Sequence, residues 1–186
     1  MIRALCIADK APAKPIKHSL ETGNINLIIT LGDLDISEIS YLAEVNTIPK
    51  IGVYGNHCIP GYMEELNIIN LHLQTITIDG RIFGGFEGCI KYKNHPYAKM
   101  YTQEEASSKL ESMPAVDVLI SHSPAFGIND DVDPAHIGFT GLRDYLDNNS
   151  VQFFLHGHTY PRESELITTY RNTNILYIHS DQIVTF

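Results

Sequence analysis

The 186-residue chain has no tryptophan, only three cysteines and a shortage of basic residues. Cys6, Cys58 and Cys89 are widely spaced and form no C-x-x-C pair, which argues against a disulfide framework and against a thiolate-bound zinc site. Thirteen Lys and Arg stand against 22 Asp and Glu, a formal net charge of -9, so the broad basic surface that non-specific duplex binding needs is missing. No run approaches the roughly 18 apolar residues of a membrane span, and the apolar part of "MIRALCIADK" is too short for a signal h-region. The expected setting is the reducing cytoplasm, with neither a membrane nor an extended nucleic acid among the partners. A small phosphorylated molecule or a nucleotide stays open as a ligand, because a bound metal supplies its own positive charge whatever the net charge.

Internal repeats, low-complexity tracts and linker-like composition are also missing, so residues 1–186 are expected to form one domain. At 44% hydrophobic and 19% charged, the chain can bury a core of useful size. Apolar, β-branched runs recur as "IRALCIA", "NLIIT", "KIGVY", "VDVLI" and "VQFFL", separated by stretches of helical character such as "ISEISYLAEV" and "TQEEASSKLESM". Thr102 with Glu105 three places on has the pairing of a capping box. "QTITIDGRIFGGFEG" is expected to be two strands joined at Asp79-Gly80. The C-terminal "LITTYRNTNILYIHSDQIVTF" offers further strands, with turns near Arg171-Asn172 and Ser180-Asp181. The alternation predicts an α/β fold, and the β-rich middle and end predict more than one sheet.

Five apolar runs are followed by ligand-type residues: Asp9; Gly32-Asp33; Gly55-Asn56-His57; Ser121-His122; and His156-Gly157-His158. In open α/β sheets ligands bind beyond the carboxyl ends of the strands, so residues far apart in sequence can converge there. Carboxylate oxygen, amide oxygen and imidazole nitrogen together suit Mn, Fe or Zn better than Ca or Mg. The glycines at 32, 55 and 157 are expected to let the backbone turn sharply and to leave room beside a metal. The long, Gly- and Pro-punctuated "SHSPAFGINDDVDPAHIGFTGL" after His122 is expected to form a wall or lid.

This ordered set resembles the calcineurin-like metallophosphoesterase superfamily, whose motifs run D-x-H, G-D-x-x-D, G-N-H-D/E, a lone His and G-H-x-H. The resemblance extends from Asp9 to Tyr160. It implies a four-layer αββα sandwich, two mixed β-sheets flanked by helices, with a two-metal site at the rim. Asp33 would bridge the metals, while Asn56, His122 and His158 would complete one position. Asp9 would belong to the other, which is depleted: Ala11 and Tyr160 stand where the family carries histidines. The second aspartate of "GDLDI" is Asp35, one place early, and Cys58 replaces the acid after G-N-H. The resemblance makes His57 the catalytic residue that steadies the transition state or protonates the leaving oxygen, a role suited to imidazole.

The resemblance implies a metal-dependent phosphoesterase, and with the depleted position the expectation is one tight divalent cation, Mn first and Fe or Zn next, and a second that is weak or absent. The competing expectation is a catalytically impaired descendant that serves as a binding or scaffold module. Tyr160 is read either as a strand aromatic or as a metal or phosphate contact. His156 is read as support for neighbouring residues or as a plain strand position rather than as a direct ligand, and His18, His72, His95, His136 and His179 are given no part in the site. Lys10, Lys14, Lys17 and Arg162 are surface cations within reach, in sequence, of a phosphate site.

Overall fold

Side-chain alternation decides the layers. In β1 (Arg3–Ala8), Ala4, Cys6 and Ala8 face one way and Leu5 and Ile7 the other, and all five are fully buried. β2 (Leu27–Thr30) repeats the pattern, so both faces of this sheet must be covered by other elements. The computed structural model describes residues 1–186 and shows how the covering is done.

The first sheet has the order β13-β1-β2-β3-β4, with β3 at Lys50–Gly52, β4 at Ile69–Asn70 and β13 at Ser180–Thr185. β1 to β4 are mutually parallel and β13 is antiparallel to β1. The second sheet contains β5 (Thr75–Ile78), β6 (Arg81–Phe86), β9 (Val118–Ser121), β10 (Phe153–His156), β11 (Thr169–Tyr170) and β12 (Thr173–Tyr177). Its order is β11-β12-β10-β9-β6-β5, parallel in the centre with an antiparallel strand at each edge. β7 (Cys89–Ile90) and β8 (Met100–Tyr101) form a separate short parallel pair.

The two mixed sheets meet through one core, in which Ala4, Cys6 and Ile29 of the first pack with Phe83, Ile120 and Leu155 of the second. α1 (Ile16–Gly23), α2 (Ile36–Ile39) and α3 (Tyr62–Glu65) cover the outer face of the first sheet through Ile16, Ile39 and Met63. α4 (Gln103–Glu111) and α5 (Thr140–Asn148) cover the second through Leu110, Leu142 and Leu146. The chain is therefore α/β, with two mixed sheets face to face and helices on both outer sides.

Local chemistry explains the boundaries. At the β5–β6 turn Asp79 and Gly80 have φ of 47° and 79°, the left-handed pair that a two-residue hairpin requires. Glu105 N–H donates to Thr102 Oγ1 at 3.2 Å and Thr102 N–H to Glu105 Oε2 at 2.9 Å, completing the capping box of α4. The "ISEISYLAEV" stretch is broken: α2 lasts one turn and continues as a 3-10 turn over Ser40–Glu44. Asp35 caps that turn by accepting from Ser37 N at 2.8 Å. The polar turn expected at Ser180-Asp181 is a crossing between sheets, since β12 pairs with β10 while β13 pairs with β1. The expected wall after His122 is shorter than its sequence, because its base is closed by Ala125 and Phe139 and its last residues, from Thr140, begin α5. No helix is long and apolar enough to cross a membrane.

Candidate metal centre

β1, β2 and β3 of the first sheet and β9 and β10 of the second end at one rim, and the residues just past these ends meet there. Asp9, Asp33 and His158 have φ of 62°, 51° and 69°, a left-handed conformation that is uncommon for residues other than glycine. Such strain persists only where the surroundings over-determine it, and it gathers at functional sites. Of the three glycines expected to make the turns, Gly32 does so with φ of 91°. Gly55 and Gly157 serve by having no side chain. A Cβ on Gly55 would lie 2.7 Å from Asp33 Cγ, and one on Gly157 would lie 2.6 Å from Asp9 Oδ2.

His122 is the centre of the group and is fully buried. Its Nδ1 donates to the Leu31 carbonyl at 2.8 Å, so Nε2 is the nitrogen that either carries a second proton or, once deprotonated, can bind a metal. That nitrogen faces Asn56 Oδ1 at 3.0 Å and Asp33 Oδ2 at 3.3 Å. In the metal-free protein a proton on Nε2 satisfies both oxygens; when that proton is lost the three atoms become acceptors around one space that a cation can fill. His158 is oriented similarly: Nε2 donates to the Ala135 carbonyl at 2.8 Å, leaving Nδ1 free. Locking one imidazole nitrogen with a carbonyl is how proteins orient histidine ligands. One ligand atom each from Asp33, His122 and His158 lies within 4.8 Å of the others, and this buried set could hold a metal ion.

The electrostatics follow from burial. Burial alone would raise the pKa of Asp33, but the neighbouring His122 charge, its hydrogen bond and the His57 N–H donated to Oδ1 at 2.7 Å hold it well below the carboxylate range. Burial would lower His122; the Asp33 and Asp9 carboxylates outweigh it and raise the ring to about 9. Without a metal, an imidazolium at His122 balances Asp33. Burial and the charge on His122 lower His158 to about 3, so it is a neutral donor at neutral pH. Asp9 is pushed up to about 6 by burial, against the pull of His122 and of the His158 N–H that Oδ2 accepts at 2.9 Å.

The expected residues divide into two groups. Asp33, Asn56, His122 and His158 come together. Asp9 braces the backbone of His158 and stands outside the three-residue set. Ala11 contributes only its carbonyl, accepting from Ser180 Oγ at 2.7 Å. Tyr160 is 66% exposed and packs edge-on to His179, with ring centroids 5.4 Å apart. His57 is exposed on the rim. His156 faces away: it neighbours Phe154 on the helix side of the sheet and accepts from Asn129 Nδ2 at 3.1 Å. Lys10, Lys14 and Lys17 are exposed, and Arg162 lies 3.5 Å from Glu165.

Sequence reasoning missed three neighbours. Cys58 Sγ accepts from Asp33 N at 3.1 Å and Gly55 N at 3.0 Å and so ties two motif loops together, while burial and the Asp33 charge raise its thiol to about 11. His136, paired with Asp133 at 2.7 Å, lies with its ring 5.0 Å from that of His158. It belongs to the loop expected as a wall, and that was the available signal. His95 shares a cleft with His57.

No protein-family model matches the chain, and no curated protein matches it. Among solved structures, one crystal structure has a TM-score of 0.65 at 14% identity, covering 94% of this chain and 89% of its own. Another, a hypothetical protein from Thermus thermophilus, has a TM-score of 0.53 at 17% identity, covering 96% of this chain and 75% of its own. At such identities the likeness is one of fold: the chain shares an α/β architecture with these proteins.

Proposed function

We propose that the protein is a metal-dependent phosphoric ester hydrolase that holds one divalent cation tightly at Asp33, Asn56, His122 and His158. The observation that carries this reading is the convergence of Asp33 Oδ2 and Asn56 Oδ1 on His122 Nε2, whose other nitrogen is committed to Leu31. The mixed oxygen and nitrogen donors suit Mn, with Fe and Zn as alternatives. A bound metal polarises a phosphoryl oxygen and makes water nucleophilic near neutral pH. The protein's part is to hold the donors apart from bulk water, with Leu31 and Ala135 fixing the two rings. His57, free on the rim, supplies a proton to the leaving oxygen. The observed architecture, two mixed sheets face to face with helices on both outer sides, accords with this reading.

The metal has to displace a proton. His122 is raised to about 9, so at neutral pH its ring is protonated and must lose that proton to become a ligand. Mn binding is expected to release about one proton per chain at pH 7, and affinity to rise about tenfold per pH unit until about pH 9. Calorimetry in two buffers of different ionisation enthalpy measures this; a buffer-independent heat would contradict it.

Exposure of Tyr160 and the absence of a side-chain donor at Ala11 favour a second reading, a binding module without turnover. Hydrolysis of bis(p-nitrophenyl) phosphate with Mn separates the two. The hydrolase reading expects His57→Ala to lose about 10²–10⁴-fold in rate with metal content unchanged. Equal rates in wild type and variant would leave only the binding module.

A further inference from the structure

A cleft of about 210 Å³ separates the loop carrying Asn56 and His57 from the loop between β7 and β8, with Lys93, His95 and Tyr97 on the far wall. A second depression of about 390 Å³ lies behind it and shares Lys93, His95 and Ala98. The β7–β8 loop is therefore a ridge beside the candidate metal centre, and Asn56 belongs to both places.

This loop departs from the chemistry of the rest of the chain. Residues 91–99 contain Lys91, Lys93 and Lys99 and no acid, in a chain of 13 basic and 22 acidic residues. Tyr97 is 71% exposed, with its ring 6.3 Å from that of His95. The base of the loop is fixed: Cys89 N–H donates to Lys99 O at 3.1 Å and Lys91 N–H to Tyr101 O at 2.9 Å. Lys99 Nζ also reaches the buried Glu87 carboxylate at 3.3 Å. Being anchored at both ends reduces the ordering cost of presenting Lys93, His95 and Tyr97 to a ligand.

An exposed aromatic ring and a lysine, whose Nζ lies 4.9 Å from the Tyr92 ring, line one cleft with Asn56 of the candidate metal centre, and such a pair matches the two parts of a nucleotide. Aromatic side chains stack on bases, and a lysine offsets phosphate charge. The small cleft and the net charge of -9 suit a single nucleotide unit and oppose a polyanion. We propose that this cleft binds a nucleotide substrate, with the base against Tyr97 and the phosphoryl group directed past Lys93 to the metal centre; this rests on the phosphoesterase reading.

The test compares AMP with ribose 5-phosphate, which keeps the phosphate and lacks the base, on EDTA-treated protein by ligand-observed NMR titration. AMP is expected to bind about tenfold tighter. Tyr97→Ala should erase that preference, Tyr97→Phe should keep it, and Lys93→Ala should weaken both ligands alike. Equal affinity for the two ligands, a preference unchanged in Tyr97→Ala, or no binding of either with or without Mn would overturn the proposal. Tyr97-dependent AMP binding would stand even if the Mn-loaded protein hydrolysed nothing, in which case the hydrolase reading alone would fail. Hydrolysis of generic esters without any AMP preference would remove the cleft alone.

Discussion

Replacing His122 by alanine is expected to abolish tight metal binding and to destabilise the metal-free protein by about 3–5 kcal/mol, the cost of breaking a buried ion pair. The ring is fully buried, and it is the only group that faces Asn56 Oδ1 and Asp33 Oδ2 together. Its loss leaves a carboxylate without its cation and the Leu31 carbonyl without its donor. Denaturant unfolding with EDTA measures the stability change, and Mn titration the affinity. The pH dependence has a defined sign. The His122 pKa is raised in the fold, from 6.5 to about 9, so its stabilisation of the metal-free protein is complete below about pH 6.5 and is lost as pH rises through about 9. Asp9 is raised from 3.8 to about 6, so burying its charge adds a cost that grows over that lower range and persists above it. Both shifts weaken the metal-free protein towards alkaline pH. Unchanged stability in His122→Ala would mean that the buried pair does not stand as described.

Gly55→Ala is expected to remove metal binding while leaving most of the fold intact. The added methyl would lie 2.7 Å from both Cγ and N of Asp33, so the carboxylate must leave its position or the loop must shift. Overpacking of this kind costs about 1–3 kcal/mol in stability, and displacing a ligand by even 1 Å costs about a hundredfold in function. Gly61→Ala is the control. Gly61 has φ of 90° and nothing within 4 Å of its Cβ position, so it bears only a backbone penalty of about 1 kcal/mol and should retain metal. Equal metal affinity in Gly55→Ala and wild type would show that the Asp33 position is not critical.

The rim is legible in the sequence because strand ends carry information in order: each apolar run stops, and the next residues are Asp, Asn or His. The five strands and the Asp79-Gly80 turn are legible for the same reason, since buried parallel strands are continuous apolar runs and left-handed turns favour particular residues. α1, α3 and α5 are not, because α1 and α5 lack a side-chain cap and α3 lasts one turn, so packing holds them more than local signals do. The role of His156 is hidden by parity: it is two residues from His158, yet its side chain lies on the Phe154 face of β10. Cys58 looks in the sequence like a missing acid, whereas its sulfur accepts two backbone N–H groups, a contact across 25 residues that no spacing reveals. Tyr160 fits two roles in the sequence; its exposure places it at the rim beside His179.

Metal content per chain is the direct test of a single tight position at Asp33, Asn56, His122 and His158. Elemental analysis after incubation with Mn and gel filtration, with His158→Ala alongside, is expected to give about one equivalent in the wild type and a marked loss in the variant. Two tightly held equivalents, or none, or one that survives in His158→Ala, would contradict the account.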